Sequence, residues 1–209
     1  MQGFRFIALY FYPMNRMLFI LGSIIFFTGC KNKPSQEEKD ASFFPVVSFI
    51  KGQVKNIDTS LYRIVKVETI DTTRSTTYIK REDFGKYAKD FLELPDISSS
   101  KWKDDYQETK VFDDVLNKVI LSYTTTVEDN PVRREDVMLN PTNESGNSEV
   151  QNIIINTLEQ SKDSSVEKNM VWYAGKRFTI ITKIQKANKP EKIKKLEVIW
   201  NDFSDQTNM

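Results

Sequence analysis

A serine three residues ahead of a lysine recurs along this chain, at Ser48 and Lys51, at Ser98 and Lys101, and at Ser165 and Lys168. On a helix that spacing brings an ammonium group within reach of a hydroxyl, and a Ser–Lys pair can act as nucleophile and base. Enzymes built this way also carry S-D-N and K-T-G segments, and the chain has neither. Repeated matches are what a sequence rich in Ser and Lys produces by chance, so no catalytic role follows. The second candidate is the carboxylate group Asp104, Asp105, Glu108, Asp113 and Asp114. A glycosidase needs two carboxyl groups facing one another across a cleft, about 5 Å or about 6.5 to 9.5 Å apart. Adjacent carboxylates on a strand point to opposite faces, so the group reads as a solvated strand edge. The glycine-containing calcium-loop pattern is also absent. There is no His, and the single Cys is Cys30. This excludes Ser–His and Cys–His pairs, His- or Cys-ligated zinc and His-held haem. The expectation is a chain without catalytic residues, metal site or cofactor.

Lys183, Lys186, Lys189, Lys192, Lys194 and Lys195 gather around the segment QKANKPEKIKK, whose one acid is Glu191. A basic hairpin of this kind can face a membrane, each Lys contributing ~1 kcal/mol at an anionic surface. A solvated turn that resists edge-to-edge strand pairing uses the same residues.

Why the only thiol stands at position 30 is answered by what precedes it. Met17 to Thr28 reads MLFILGSIIFFT, without a charge, between Arg16 and Gly29-Cys30. The run is shorter than the roughly 20 apolar residues a membrane-spanning helix needs, and has the basic flank, apolar middle and small-residue end of a secretory signal peptide. Phe27-Thr28-Gly29-Cys30 resembles the lipobox that closes the signal of bacterial lipoproteins, departing from it at Phe27, where Leu is usual. The resemblance covers the N-terminal seventh of the chain. It implies removal of residues 1–29 as a signal peptide and acylation of Cys30, with the protein held by lipid in the cell envelope, in the outer rather than the inner membrane where there are two. Two or three acyl chains anchor stably where one does not. Met14 opens a complete signal of its own, so translation from either Met1 or Met14 yields the same mature chain.

Residues 1–29 contain Arg5 and Arg16 and no acid, so of the chain's 30 basic and 29 acidic groups the mature part keeps 28 and 29. That balance argues against a nucleic-acid partner, which calls for a net basic face. The mature length fits one ordinary domain with a core of its own.

Residues 30–41, with KNKPSQEEKDA after the cysteine, read as a flexible tether. A single domain over 42–203 and a disordered tail over 204–209 follow. Phe43, Val47, Ile50, Val54 and Ile57 recur at intervals of four, three, four and three, the stripe of a helix that packs on a sheet. LYRIVKVETI and TTYI read as a hairpin turning over Asp71 to Ser75. REDFGKYAKDFLEL reads as a second helix through Phe84, Tyr87, Ala88, Phe91 and Leu92. From Tyr106 to Trp200 the apolar runs are short, β-branched and separated by turn residues, with Ala174-Gly175-Lys176 the strongest hairpin signal. Connections this short leave no room for crossover helices. The expected fold is therefore α+β, a curved, mostly antiparallel meander of about seven to nine strands with two helices early in the domain. Trp102, Trp172, Trp200, Tyr123, Tyr173 and Phe178 supply its large apolar surfaces; Trp172 and Tyr173 must face opposite sides of one strand.

Two uses fit these features. One is a non-catalytic binding or structural module of the envelope, whose partner is an envelope protein. The other is a carrier of lipid or another apolar ligand, since a lipidated, curved sheet with helices on its concave face is similar in architecture to the outer-membrane lipoprotein of lipoprotein-localisation systems. A carboxylate-dependent hydrolase is the weakest reading. A cavity of several hundred Å³ inside the sheet would suit the carrier, and a filled core would suit the module.

Overall fold

The structure, a computed structural model, describes residues 43–59, 61, 63–141 and 148–202. Cys30 and the stretches expected to be signal peptide, tether and tail lie outside the described residues.

The chain forms an α+β domain built on one open antiparallel sheet of nine strands. These are β1 (Val65–Ile70), β2 (Thr73–Tyr78), β3 (Tyr106–Asp113), β4 (Lys118–Thr125), β5 (Val132–Leu139), β6 (Val150–Ser161), β7 (Ser164–Tyr173), β8 (Arg177–Lys186) and β9 (Lys192–Ile199). Four of the hairpin turns place a residue in the left-handed region: Asp71 at φ 54°, Asn117 at 51°, Gly175 at 70° and Asn188 at 58°. Glycine and short polar side chains reach that region at least cost. At Asp71 the turn is tighter than the sequence suggests. Asp71-Thr72 closes it in two residues, which suits the twist of paired strands, and Thr73 to Ser75 join β2 instead of the turn.

The strand order is β2-β1-β9-β8-β7-β6-β5-β4-β3. β2 and β3 are consecutive in the chain yet form the two opposite edges, so residues 79–105 must cross the whole width of the sheet. At about 4.8 Å per strand that is roughly 38 Å. The crossing holds a 3₁₀ turn (Arg81–Asp83), α2 (Phe84–Tyr87), α3 (Lys89–Leu92) and a second 3₁₀ turn (Lys103–Asp105), while α1 (Val46–Asp58) precedes β1. The helix expected over REDFGKYAKDFLEL is thus in short pieces. It is interrupted at the fully buried Ala88, where the backbone reaches ψ 0° and Phe91 N–H bonds back to Ala88 C=O at 3.0 Å.

Of the α1 stripe, Phe43, Val47, Ile50 and Ile57 are buried and Val54 half-buried, and Val46, outside the stripe, is buried too. Gln53 Oε1 accepts from Gly175 N–H at 2.9 Å, tying the helix to the β7–β8 turn. Ile50 belongs to the central core and is 0% exposed. Ile50→Ala should therefore cost about 2 to 5 kcal/mol in chemical unfolding. A loss below about 0.5 kcal/mol, the size of an ordinary surface change, would mean that α1 is not packed as described.

Register fixes which side chains share the helix-covered face. Leu121, Val137, Ile153, Trp172, Phe178 and Val198 are successive partners across β4 to β9, and all but the half-buried Leu121 are fully buried. Onto this row the crossing segment sets Phe84 and Phe91, and Trp200 joins from the end of β9. Phe84 meets Trp200 at 5.2 Å and 88°, Phe91 meets Trp172 at 5.2 Å and 81°, and Trp172 stacks on Phe178 at 5.3 Å and 14°. These are the offset and edge-to-face arrangements that aromatic quadrupoles favour. Tyr173, on the opposite face as alternation requires, lies half-buried under the Arg177 guanidinium at 4.6 Å.

Candidate functional site

The helix-covered face does not end where the helices end. Along β8 the inward residues Phe178, Ile180, Thr182, Ile184 and Lys186 pass from fully buried to exposed, and along β9 Val198, Leu196, Lys194 and Lys192 do the same. At the exposed end, around the β8–β9 turn, a cleft of about 610 Å³ opens, lined by Asp71, Ile184, Lys186, Lys189, Pro190, Glu191, Lys192 and Lys194. Ile70, directly opposite Lys194 in the β1–β9 register, stands beside it and is 43% exposed.

The same register divides the lysines that the sequence groups together. Lys183 and Lys195 fall on the other face, where each has an acid: Lys183 Nζ lies 3.6 Å from Glu167 and Lys195 Nζ lies 3.5 Å from Glu197. Among the described residues no carboxylate comes within 4.0 Å of the ammonium groups of Lys186, Lys189, Lys192 or Lys194. The basic hairpin is therefore a neutralised outer side and an unneutralised inner cleft. Asp71 and Ile184, which the sequence reading did not include, complete the lining; the signal that could have found them is the period of two, which places Ile184 with Lys186.

A second polar feature lies inside the core. Glu135 on β5 is 0% exposed, opposite Tyr123 on β4 and Ile155 on β6, and neither carboxylate oxygen has a hydrogen-bond partner among the described residues. Burial pushes its carboxyl up to about 8, and the Asp96 carboxylate adds to the shift. Both causes favour the protonated, uncharged form of Glu135. Neither neighbouring phenol is hydrogen-bonded to it. Tyr106 Oη donates to Val132 C=O at 2.7 Å, and Tyr123 Oη accepts from Phe44 N–H at 3.0 Å. Burial raises both phenols above their ordinary range. The sequence reading passed over Glu135, because counting alternately from Val132 puts Glu135 on the other face. A bulge between Val132 and Arg134 turns both inward.

The three Ser-x-x-Lys matches named above do not build Ser–Lys pairs. Ser48 and Lys51 sit on the solvent side of α1, both exposed. Ser98 Oγ donates to Asp96 Oδ1 at 2.6 Å, while Lys101 Nζ lies 4.9 Å over the Trp102 ring. Ser165 and Lys168 point to opposite faces of β7, and Lys168 Nζ bonds Asp90 at 2.9 Å, fastening the crossing segment to the sheet. The acidic group falls on and around edge strand β3, with Asp104, Glu108 and Asp114 exposed, Asp105 accepting from Asn130 Nδ2 at 3.2 Å, and Asp113 Oδ1 capping Val115 and Leu116 N–H at 2.9 Å. Among the described residues no three ligating side chains converge to hold a metal ion, and no helix is long and apolar enough to cross a membrane.

No protein-family model, curated protein or solved structure matches this chain.

Proposed function

We propose that the chain is a lipid-anchored envelope protein whose domain is a non-catalytic binding module. The observation that carries this reading over the carrier is the packing of the helix-covered face. Trp172, Phe178, Phe84, Phe91 and Trp200 touch one another there and are almost entirely buried. A carrier needs a lined apolar cavity of several hundred Å³ in that position. The cleft around Lys186 and Lys192 lies at the rim and is lined mostly by charged side chains; a smaller one of about 250 Å³, between the crossing segment and the sheet, sets Asp90, Glu93, Glu159 and Lys168 beside Leu94, Pro95, Pro131 and Met170. Support for a non-catalytic role comes from the lack of His and from serines and carboxylates engaged in turns and strand edges. Anchoring is supported by Phe27-Thr28-Gly29-Cys30, and through it the partners are a membrane and an envelope protein.

In cells given a palmitate analogue the mature protein should carry the label, begin at Cys30 and float with membranes. Cys30→Ser should abolish the label. A mature N-terminus at another residue, or label retained in the variant, sinks the anchoring reading. Organic extraction of the purified protein should release only the covalently attached chains after hydrolysis. A stoichiometric free lipid would restore the carrier.

A further inference from the structure

We propose that the cleft at the β8–β9 turn is a binding site for anionic phospholipid headgroups, which seats the exposed end of the sheet on the bilayer. The proposal rests on the lipid-anchored reading, which keeps the domain beside a membrane.

Strand register supplies the first argument. Lys186, Lys192 and Lys194 share one face, and Lys189 joins them from the turn. Residues two apart on a strand are about 7 Å apart and neighbouring strands about 4.8 Å, so these ammonium groups form a compact cationic patch. The second is their lack of partners. Lys183 and Lys195 are paired with Glu167 and Glu197, whereas the four lining the cleft have no carboxylate within 4.0 Å among the described residues. Asp71 and Glu191 also line the cleft and leave it with two positive charges in excess. Left in water, such a patch repels itself; against an anionic surface the same charges are attracted instead.

The chemistry of the patch selects a fluid lipid surface over a single bound anion. It contains Lys and no Arg. A guanidinium grips one phosphate through a planar fork, while an ammonium acts as a point charge on a flexible stem and accepts phosphates in changing positions. The lysine stems lie beside Ile70, Ile184 and Pro190, so apolar surface accompanies the charge, as expected of a site facing the boundary between headgroups and acyl chains.

The test is lysine footprinting on the full lipidated chain. It is mixed with vesicles of phosphatidylcholine alone or of phosphatidylcholine with phosphatidylglycerol, floated, and acetylated briefly before mass spectrometry. Phosphatidylglycerol should slow acetylation of Lys186, Lys189, Lys192 and Lys194 by about fivefold or more, leaving Lys183 and Lys195 unchanged. About 1 M salt, where the Debye length is about 3 Å, should reverse the protection. Equal labelling in both vesicle types overturns the proposal, as does equal protection of all six lysines. Protection of the same four by inorganic phosphate without vesicles also overturns it, since the ligand would then be a soluble anion. Flotation separates the two readings. Flotation with both vesicle types without the footprint removes the cleft and keeps the anchor, while flotation and footprint confined to phosphatidylglycerol remove the anchor and keep the cleft. Flotation with neither removes both.

Discussion

Glu135→Gln should free the domain from a pH-dependent loss of stability that the wild type suffers between about pH 4.5 and pH 8. The carboxyl is fully buried without a hydrogen-bond partner among the described residues, and is raised from its ordinary 4.5 to about 8, first by burial and then by Asp96. In that interval the folded protein retains a proton that the unfolded chain releases, so stability falls as pH rises. Below the interval both states hold the proton, and above it neither does, so the contribution is flat on both sides. The slope approaches 1.4 kcal/mol per pH unit, amounting to roughly 3 kcal/mol between pH 4.5 and pH 7. Glutamine fills the same space and does not titrate. Urea unfolding of both proteins at pH 5, 6, 7 and 8 checks this, with the difference in stability moving steadily in favour of the variant. A difference constant across the series would show that Glu135 is paired or hydrated in solution.

The second large effect is expected at Phe84→Ala. Phe84 is fully buried at the start of α2, with ring contacts to Trp200 at 5.2 Å, Phe178 at 5.9 Å and Trp172 at 6.4 Å, all near edge-to-face. Removing a buried phenylalanine ring costs about 3 to 5 kcal/mol. The upper half of that range is expected, because the quadrupole contacts add about 0.5 to 1.5 kcal/mol per pair beyond the area buried. Trp172 and Trp200 would report the change directly, their emission moving to longer wavelength in the folded baseline as water reaches the vacated space. Leu61, 97% exposed, serves as the control, and its replacement by Ala should change stability by less than about 0.5 kcal/mol. A cost below about 1 kcal/mol at Phe84 would mean that the crossing segment is held by something other than its rings.

Those rings also show how far the sequence could be read. The strands were legible because period-two runs such as RFTIITKI are bounded by turn residues, and Ala174-Gly175-Lys176 closes its hairpin as its residues suggest. The five-residue stripe of α1 was legible for the same local reason. That β1 pairs with β9 was not, since nothing near Val65 indicates its partner Ile199. The passage of residues 79–105 over the sheet follows only from that pairing. Within the candidate site, lysine clustering was visible, but its division into paired and unpaired sets depends on register across three strands. Glu135 was hidden by a bulge from a count that starts at Val132, whereas counting back from Val137 puts it on the buried face.

The joining of β1 to β9 bears on the order in which the chain can fold. From β3 to β9 every strand pairs with its immediate successor, and each of those contacts can form as soon as its hairpin has been made. β1 and β2 pair with each other early, but a lone two-stranded hairpin is marginal in water, and its only other neighbour is the last strand. α1 and the crossing segment likewise await Trp172, Phe178 and Trp200, far along the chain. A polypeptide emerging from its N-terminus, whether from a ribosome or through a membrane channel, must therefore hold its first hairpin unsheltered until the final strand arrives, and the aromatic side chains of the crossing segment until β7 and β8 do. Closing so long a loop is slow relative to local pairing, and the exposed interval is when such a chain is most open to capture or aggregation.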